Sequence, residues 1–486
     1  MPSPADPAQP DTTAPGGIAP VERSGWANDR SLFAGRVAQV FATKIAQFVL
    51  GATTLFLIAR LLDTAGNGEY GLLQIWVGLL FAVGQLGMPA AMTYMAGRGL
   101  SVVSLERIAV GLTVAITAII VAVAIVALPV LQDSVLLAFS QAKASEDLLR
   151  IVLIALPCLL LMQFSAGILY TRGYNRVFNG IQVAQAALML VLTLLLVGVI
   201  PLRVPGAVAA FLIANVGAAA AAVYQVRRLA RRPEGSAGPP AAVSAFMSYG
   251  IRLYPQNVMG FFNYRVDVLL LSWMLGYRPD VLTLIGYYYV AVRLAEMVFY
   301  VPDSISAMLY PAISASDRHD ADEFAPTVSR FTMLATTLAA VAIIPAAFVA
   351  IWLILPNYKP AFPALLVIMP GIISLSLSKI LASYTSGVGR PMPTAVAAVV
   401  ALTLNVAANL ILIPRWGIVG ASASSLISYT CHATILLVMA SRMARVSPLA
   451  FVMPRAAEFA RLRRGLATGV TLVRAVAGRA RPGSQP

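Results

Sequence analysis

Residues 108–131 and 182–200 contain no charged side chain. A helix of about 20 apolar residues spans the hydrocarbon layer of a bilayer, where only helices and closed barrels satisfy the backbone. Twelve such stretches can be drawn, the first near 37–60 and the last near 416–440. Composition agrees: 59% of the 486 residues are hydrophobic and 11% charged, against roughly half and a quarter in soluble domains. The chain therefore reads as an all-α polytopic membrane protein.

The sequence repeats itself. Tyr170, Thr171, Gly173 and Arg176 recur as Tyr384, Thr385, Gly387 and Arg390 at one offset of 214 residues, which also carries Gly206-Ala207 onto Gly420-Ala421. A weaker echo at an offset of 218 places Arg60, Gly68 and Tyr70 on Arg278, Gly286 and Tyr288. Each copy holds an even number of spans, so both enter the membrane in the same sense, related by an axis along the membrane normal. The expectation is two pseudo-symmetric six-helix bundles, 36–226 and 246–441, around a central cavity. In the Tyr-Thr-x-Gly-x-x-Arg motif, glycine permits a tight reversal between spans and arginine reaches lipid phosphates.

The remaining segments are accessory. Residues 1–35 are rich in Pro, Ala, Gly and Thr and too poor in apolar side chains to fold alone. A basic linker at 227–245 contains Arg227, Arg228, Arg231 and Arg232. The basic tail at 442–486 has an apolar stripe over 457–477 that suits a membrane surface, or is simply solvated. Positive loops stay cytoplasmic, so both termini are expected there. The net charge of +15 reflects this topology and is no sign of nucleic-acid binding. Cys158, Cys431, His319 and His432 show no spacing for a metal site or a nucleophilic dyad, so neither a cofactor nor a catalytic residue is expected.

Residues 57–71 (LIARLLDTAGNGEYG), 267–271 (DVLLL), 285–288 (IGYY) and 417–421 (GIVGA) resemble the polysaccharide and O-antigen flippases of the multidrug/oligosaccharidyl-lipid/polysaccharide exporter superfamily, over about residues 35–440. The resemblance implies transfer of an undecaprenyl-diphosphate-linked oligosaccharide across the bacterial inner membrane, for O-antigen or exopolysaccharide synthesis. It also implies membrane lipids and polysaccharide assembly proteins as partners. A multidrug extruder of the same superfamily is the alternative; its cationic cargo calls for buried carboxylates. A membrane-bound polymerase or ligase would need a large outer loop, and 131–148 is short.

Charges inside spans are expensive and normally face a cavity or a partner. Lys44, Arg252, Arg265 and Arg293 are the candidate substrate-binding residues, because cationic side chains suit a diphosphate and guanidinium pairs with it bidentately. Asp267 and Glu296 are candidates for coupling to H+ or Na+. Each also has a structural reading. Arg293 and Glu296 can pair at i,i+3, Asp267 can meet Arg293 or Arg252, and Lys379 can snorkel to the interface. Nine aromatic residues crowd the same two spans, Tyr254, Phe261, Phe262, Tyr264, Tyr287, Tyr288, Tyr289, Phe299 and Tyr300, as a sugar-stacking path or as ordinary packing.

Overall fold

The computed structural model describes residues 30–97, 100–131, 145–232, 243–315 and 318–453. All regular structure among them is helical. The first bundle comprises α1 (Arg30–Leu61), α2 (Asp63–Gly84), α3 (Met88–Gly97), α4 (Val102–Leu131), α5 (Ser145–Thr171), α6 (Asn175–Thr193) and α7 (Arg203–Ala230). The second comprises α8 (Val243–Met274), α9 (Val281–Glu296), α10 (Tyr300–Ala315), α11 (Arg318–Leu353), α12 (Ala361–Gly387) and α13 (Met392–Ala444). A final turn, α14 (Leu449–Val452), follows.

Nine helical segments among the described residues are long and apolar enough to cross a membrane. The longest, α13, is two spans: it breaks at Gly417, which adopts φ 55° and ψ −128°. With α2–α3 and α8, this gives the twelve spans expected. Those two segments fall short on apolarity for a visible reason. The first carries Asp63, Asn67, Glu69 and Gln74, and the second Arg252, Asn263, Arg265 and Asp267. One boundary moves: α1 begins at Arg30, so 30–35 are not the disordered end of the N-terminus, because Leu32, Phe33 and Ala34 extend the helix without a breaker. The stripe at 457–477 lies outside the described residues.

The repeat is visible in how glycines are used. Gly68 of α2 and Gly286 of α9, matched at the 218 offset, meet each other: a Cβ on Gly68 would stand 1.8 Å from the Leu282 carbonyl, and one on Gly286 2.1 Å from that of Thr64. Residues related by a two-fold meet only on its axis, so the axis runs through this crossing. Gly206 and Gly420 make equivalent contacts, each pressed on the end of the preceding helix, at Leu196 and Leu412. The reversals after α5 and α12 place Gly173 at φ 79° and Gly389 at φ 77°, a conformation that costs glycine little. In the second copy the reversing residue is thus Gly389, not the matched Gly387, because α12 runs on to Gly387 itself.

The bundles touch again where Leu86 and Gly87 break α2 from α3, both with positive φ. A Cβ on Gly87 would lie 2.1 Å from the Gly250 carbonyl of α8. Two backbone-to-backbone contacts therefore close one side of the interface. Between α1 and α10 the walls meet through rings, with Phe48 edge-on to Tyr300 at 5.2 Å.

Candidate binding cavity

A cavity of about 750 Å³ lies between the bundles, within the range of ligand pockets, roughly 300–1,000 Å³. It extends from Ile58 and Tyr70, near the glycine crossing, to Lys44 of α1 and Asp303 of α10. On α1, Lys44, Gln47, Gly51, Leu55 and Ile58 line it, at the three- and four-residue steps that place side chains on one helical face.

The two walls differ in chemistry. The first bundle contributes Lys44 and a set of neutral amides: Gln47 of α1, Gln74 of α2, Gln182 and Gln185 of α6, and Asn215 of α7. Lys44 donates to Gln47 at 3.3 Å, Gln47 to Gln182 at 3.0 Å, and Gln185 to Asn215 at 2.8 Å. The second bundle contributes Arg265, Arg293, Glu296 and Asp303 with Tyr264, Tyr289, Phe299 and Tyr300.

Arg265 grips Glu296 with both terminal nitrogens, at 2.7 Å and 3.0 Å. Arg293 reaches the same carboxylate at 3.6 Å and lies 5.1 Å over the Tyr289 ring. Two guanidinium groups therefore share one carboxylate. Lys379 bonds Asp303 at 2.6 Å and sits 4.0 Å over the Phe299 ring. Among the described residues Lys44 has no carboxylate partner, only Gln47. Three lining cations, Lys44, Arg265 and Arg293, thus face two carboxylates, Glu296 and Asp303, and Lys379 pairs with the second of these, so positive charge is in excess among the described residues.

A family model described as "Polysaccharide biosynthesis protein" matches residues 37–316, nearly all of the first bundle and α8 to α10 of the second. The chain belongs to this family. A curated relative, described as a probable flippase, AglR, from Haloferax volcanii, is 28% identical over 202 residues; that match covers 39% of this chain and 41% of the relative. The chain thus spans about two fifths of that relative's length. Solved structures share the fold. A lipid II flippase, MurJ, in an inward closed conformation aligns with a TM-score of 0.63 at 14% identity, over 84% of this chain and 87% of its own. An inward-facing multidrug resistance MATE transporter of the MOP superfamily gives 0.61 at 14%, over 82% and 94%. A MOP superfamily transporter from Pyrococcus furiosus with a binding pocket of reversed polarity gives 0.52 at 13%, over 84% and 95%. At these identities the likeness concerns architecture.

For this polysaccharide-biosynthesis family member, the structure brings Lys44, Arg265, Arg293 and Glu296 to one cavity. Arg252 lies on α8, but its side chain is outside the described residues. Asp267 is elsewhere: it is 2% exposed, and among the described residues it does not meet Arg293. It accepts from Tyr288, from Ser425 at 2.8 Å and from the Val268 amide at 3.0 Å. Asp267 points away from Arg265 because residues two apart on a helix occupy different faces. Lys379 bonds Asp303, itself 53% exposed, and lies over the Phe299 face. Of the aromatic residues, Tyr264, Tyr289, Phe299 and Tyr300 line the cavity, whereas Tyr287 packs edge-on to Tyr358. The amides went unnoticed in the sequence; their signal was Gln182 and Gln185, three apart in an otherwise apolar span.

Proposed function

We propose that the protein flips an undecaprenyl-diphosphate-linked oligosaccharide across the bacterial inner membrane by alternating access, for O-antigen or exopolysaccharide assembly. The observation that carries this reading is the pair of guanidinium groups, Arg265 and Arg293, balanced by the single carboxylate of Glu296. One guanidinium is half-satisfied, and a diphosphate oxygen would complete it with a charge-assisted bond. Lys44, across the cavity, supplies a further cation. A cationic drug would meet repulsion here, which sets the reading apart from multidrug export. The assignment of the termini to the cytoplasm rests on the Arg227–Arg232 cluster and the positive-inside rule.

In this reading the cavity accepts the diphosphate and first sugars from the side of the termini, while the lipid tail stays in the bilayer. The Gly68–Gly286 crossing seals the far end. Phosphate competes with Glu296 for Arg293, and the freed carboxylate becomes able to take up H+ or Na+. Asp267, buried between α8, α9 and α13, is the second candidate for ion coupling. Replacing Arg265 or Arg293 by alanine is expected to abolish surface-polysaccharide export while the protein remains inserted. Normal export from both variants would overturn the reading.

A further inference from the structure

Resting on the flippase reading, we infer that Gln182 and Gln185 select the sugar next to the diphosphate. They lie three apart on α6, so they share one helical face, and both line the cavity. Each is held by one half of its amide. Gln182 accepts from Gln47 through Oε1, and Gln185 donates to Asn215 through Nε2. Asn215 is itself fixed, donating to the Phe211 carbonyl at 2.8 Å.

The other half of each amide has no protein partner among the described residues. Gln182 offers its NH2 and Gln185 its carbonyl, so the wall presents a donor beside an acceptor. A sugar hydroxyl both donates and accepts, and an acetamido group carries one of each; a neutral donor–acceptor pair therefore suits a polyol and has no special affinity for phosphate. A site that bonds a substrate hydroxyl rejects the analogue that lacks it, because its own polar groups are left unpaired. The position along the cargo follows from Lys44, which is joined to Gln182 through a single residue, Gln47. Gln182 is thus placed beside a cation suited to the diphosphate, where the first sugar must lie.

The test uses the full chain in nanodiscs with two probes, undecaprenyl diphosphate and undecaprenyl diphosphate bearing one N-acetylglucosamine. The Gln182→Met, Gln185→Met double variant should lose about tenfold in affinity for the sugar-bearing lipid, with sugar-free binding unchanged. Unchanged sugar-free binding also certifies that the variant is folded. Equal loss for both probes, or loss for neither, overturns the inference. Wild-type protein that binds both probes equally overturns it alone, and wild-type protein that binds neither overturns the flippase reading with it.

Discussion

The two walls of the cavity come from repeated halves of one chain, yet they carry different chemistry. The second bundle concentrates charge: Arg265, Arg293 and Glu296 in one cluster, Lys379 and Asp303 in another. The first bundle presents amides in a bonded ladder with the lone cation Lys44. The repeat is seen in the paired glycines of α2 and α9, whereas the side chains lining the cavity differ between the halves. Under the proposed function, one wall would receive an anion and the other uncharged polar groups. Such a division suits a cargo with a charged link and a neutral glycan.

The largest expected effect comes from the shared carboxylate. Glu296→Ala leaves two cations facing each other in a mostly buried site, and breaking a buried pair costs roughly 3–5 kcal/mol. Gln185→Ala, on the opposite wall, removes one neutral bond worth about 1 kcal/mol. Thermal unfolding of the purified variants should therefore show a clear gap between them, and equal losses would erase the distinction between the walls.

Lys44→Gln sharpens the comparison from the other side. Among the described residues Lys44 has no carboxylate to strand, so stability should barely change. Affinity for undecaprenyl diphosphate should fall about tenfold, the scale of one charge-assisted hydrogen bond. A variant that unfolds instead would mean that Lys44 is a structural member of the first bundle.

The smallest effect belongs to an ion pair outside the cavity. Between α8 and α9, Arg278 bonds Asp280 bidentately, both contacts 2.9 Å, and this hydrogen bonding holds the Asp280 carboxyl below its ordinary range. A lowered carboxyl pKa means that any stabilisation is present at neutral pH and is lost as the pH falls through that value. Both side chains are half exposed, 45% and 46%, and surface pairs contribute little. Asp280→Asn should leave the unfolding midpoint at neutral pH unchanged. A large shift would show that charge matters everywhere in this chain, not only in the cavity.

Much of the fold was legible because it is written in short-range pattern. Charge-free apolar runs fix the spans, and the Gly68–Gly286 and Gly206–Gly420 matches mark where backbones must approach. Gly389 was missed because an offset between repeats cannot register two extra helical residues. The site was legible in part: Lys44, Arg265, Arg293 and Glu296 stood out as charges within spans. Of their partners, only the i,i+3 pairing of Arg293 with Glu296 was legible. Arg265 meets a carboxylate 31 residues away, and Asp267 meets Ser425 across 158 residues; such pairings depend on helix rotation and bundle packing. The amides were overlooked for a different reason, since glutamine within a span is tolerated wherever another amide bonds it, and the sequence does not show that partner.

Equilibrium binding of two ligands of opposite charge to the same purified protein tests the central claim most directly. Undecaprenyl diphosphate bearing N-acetylglucosamine should bind saturably to wild-type protein and lose that binding in Arg293→Ala, while the lipophilic cation tetraphenylphosphonium should not compete. Saturable binding of tetraphenylphosphonium, with the anionic lipid failing to displace it, would contradict an anion-receiving cavity.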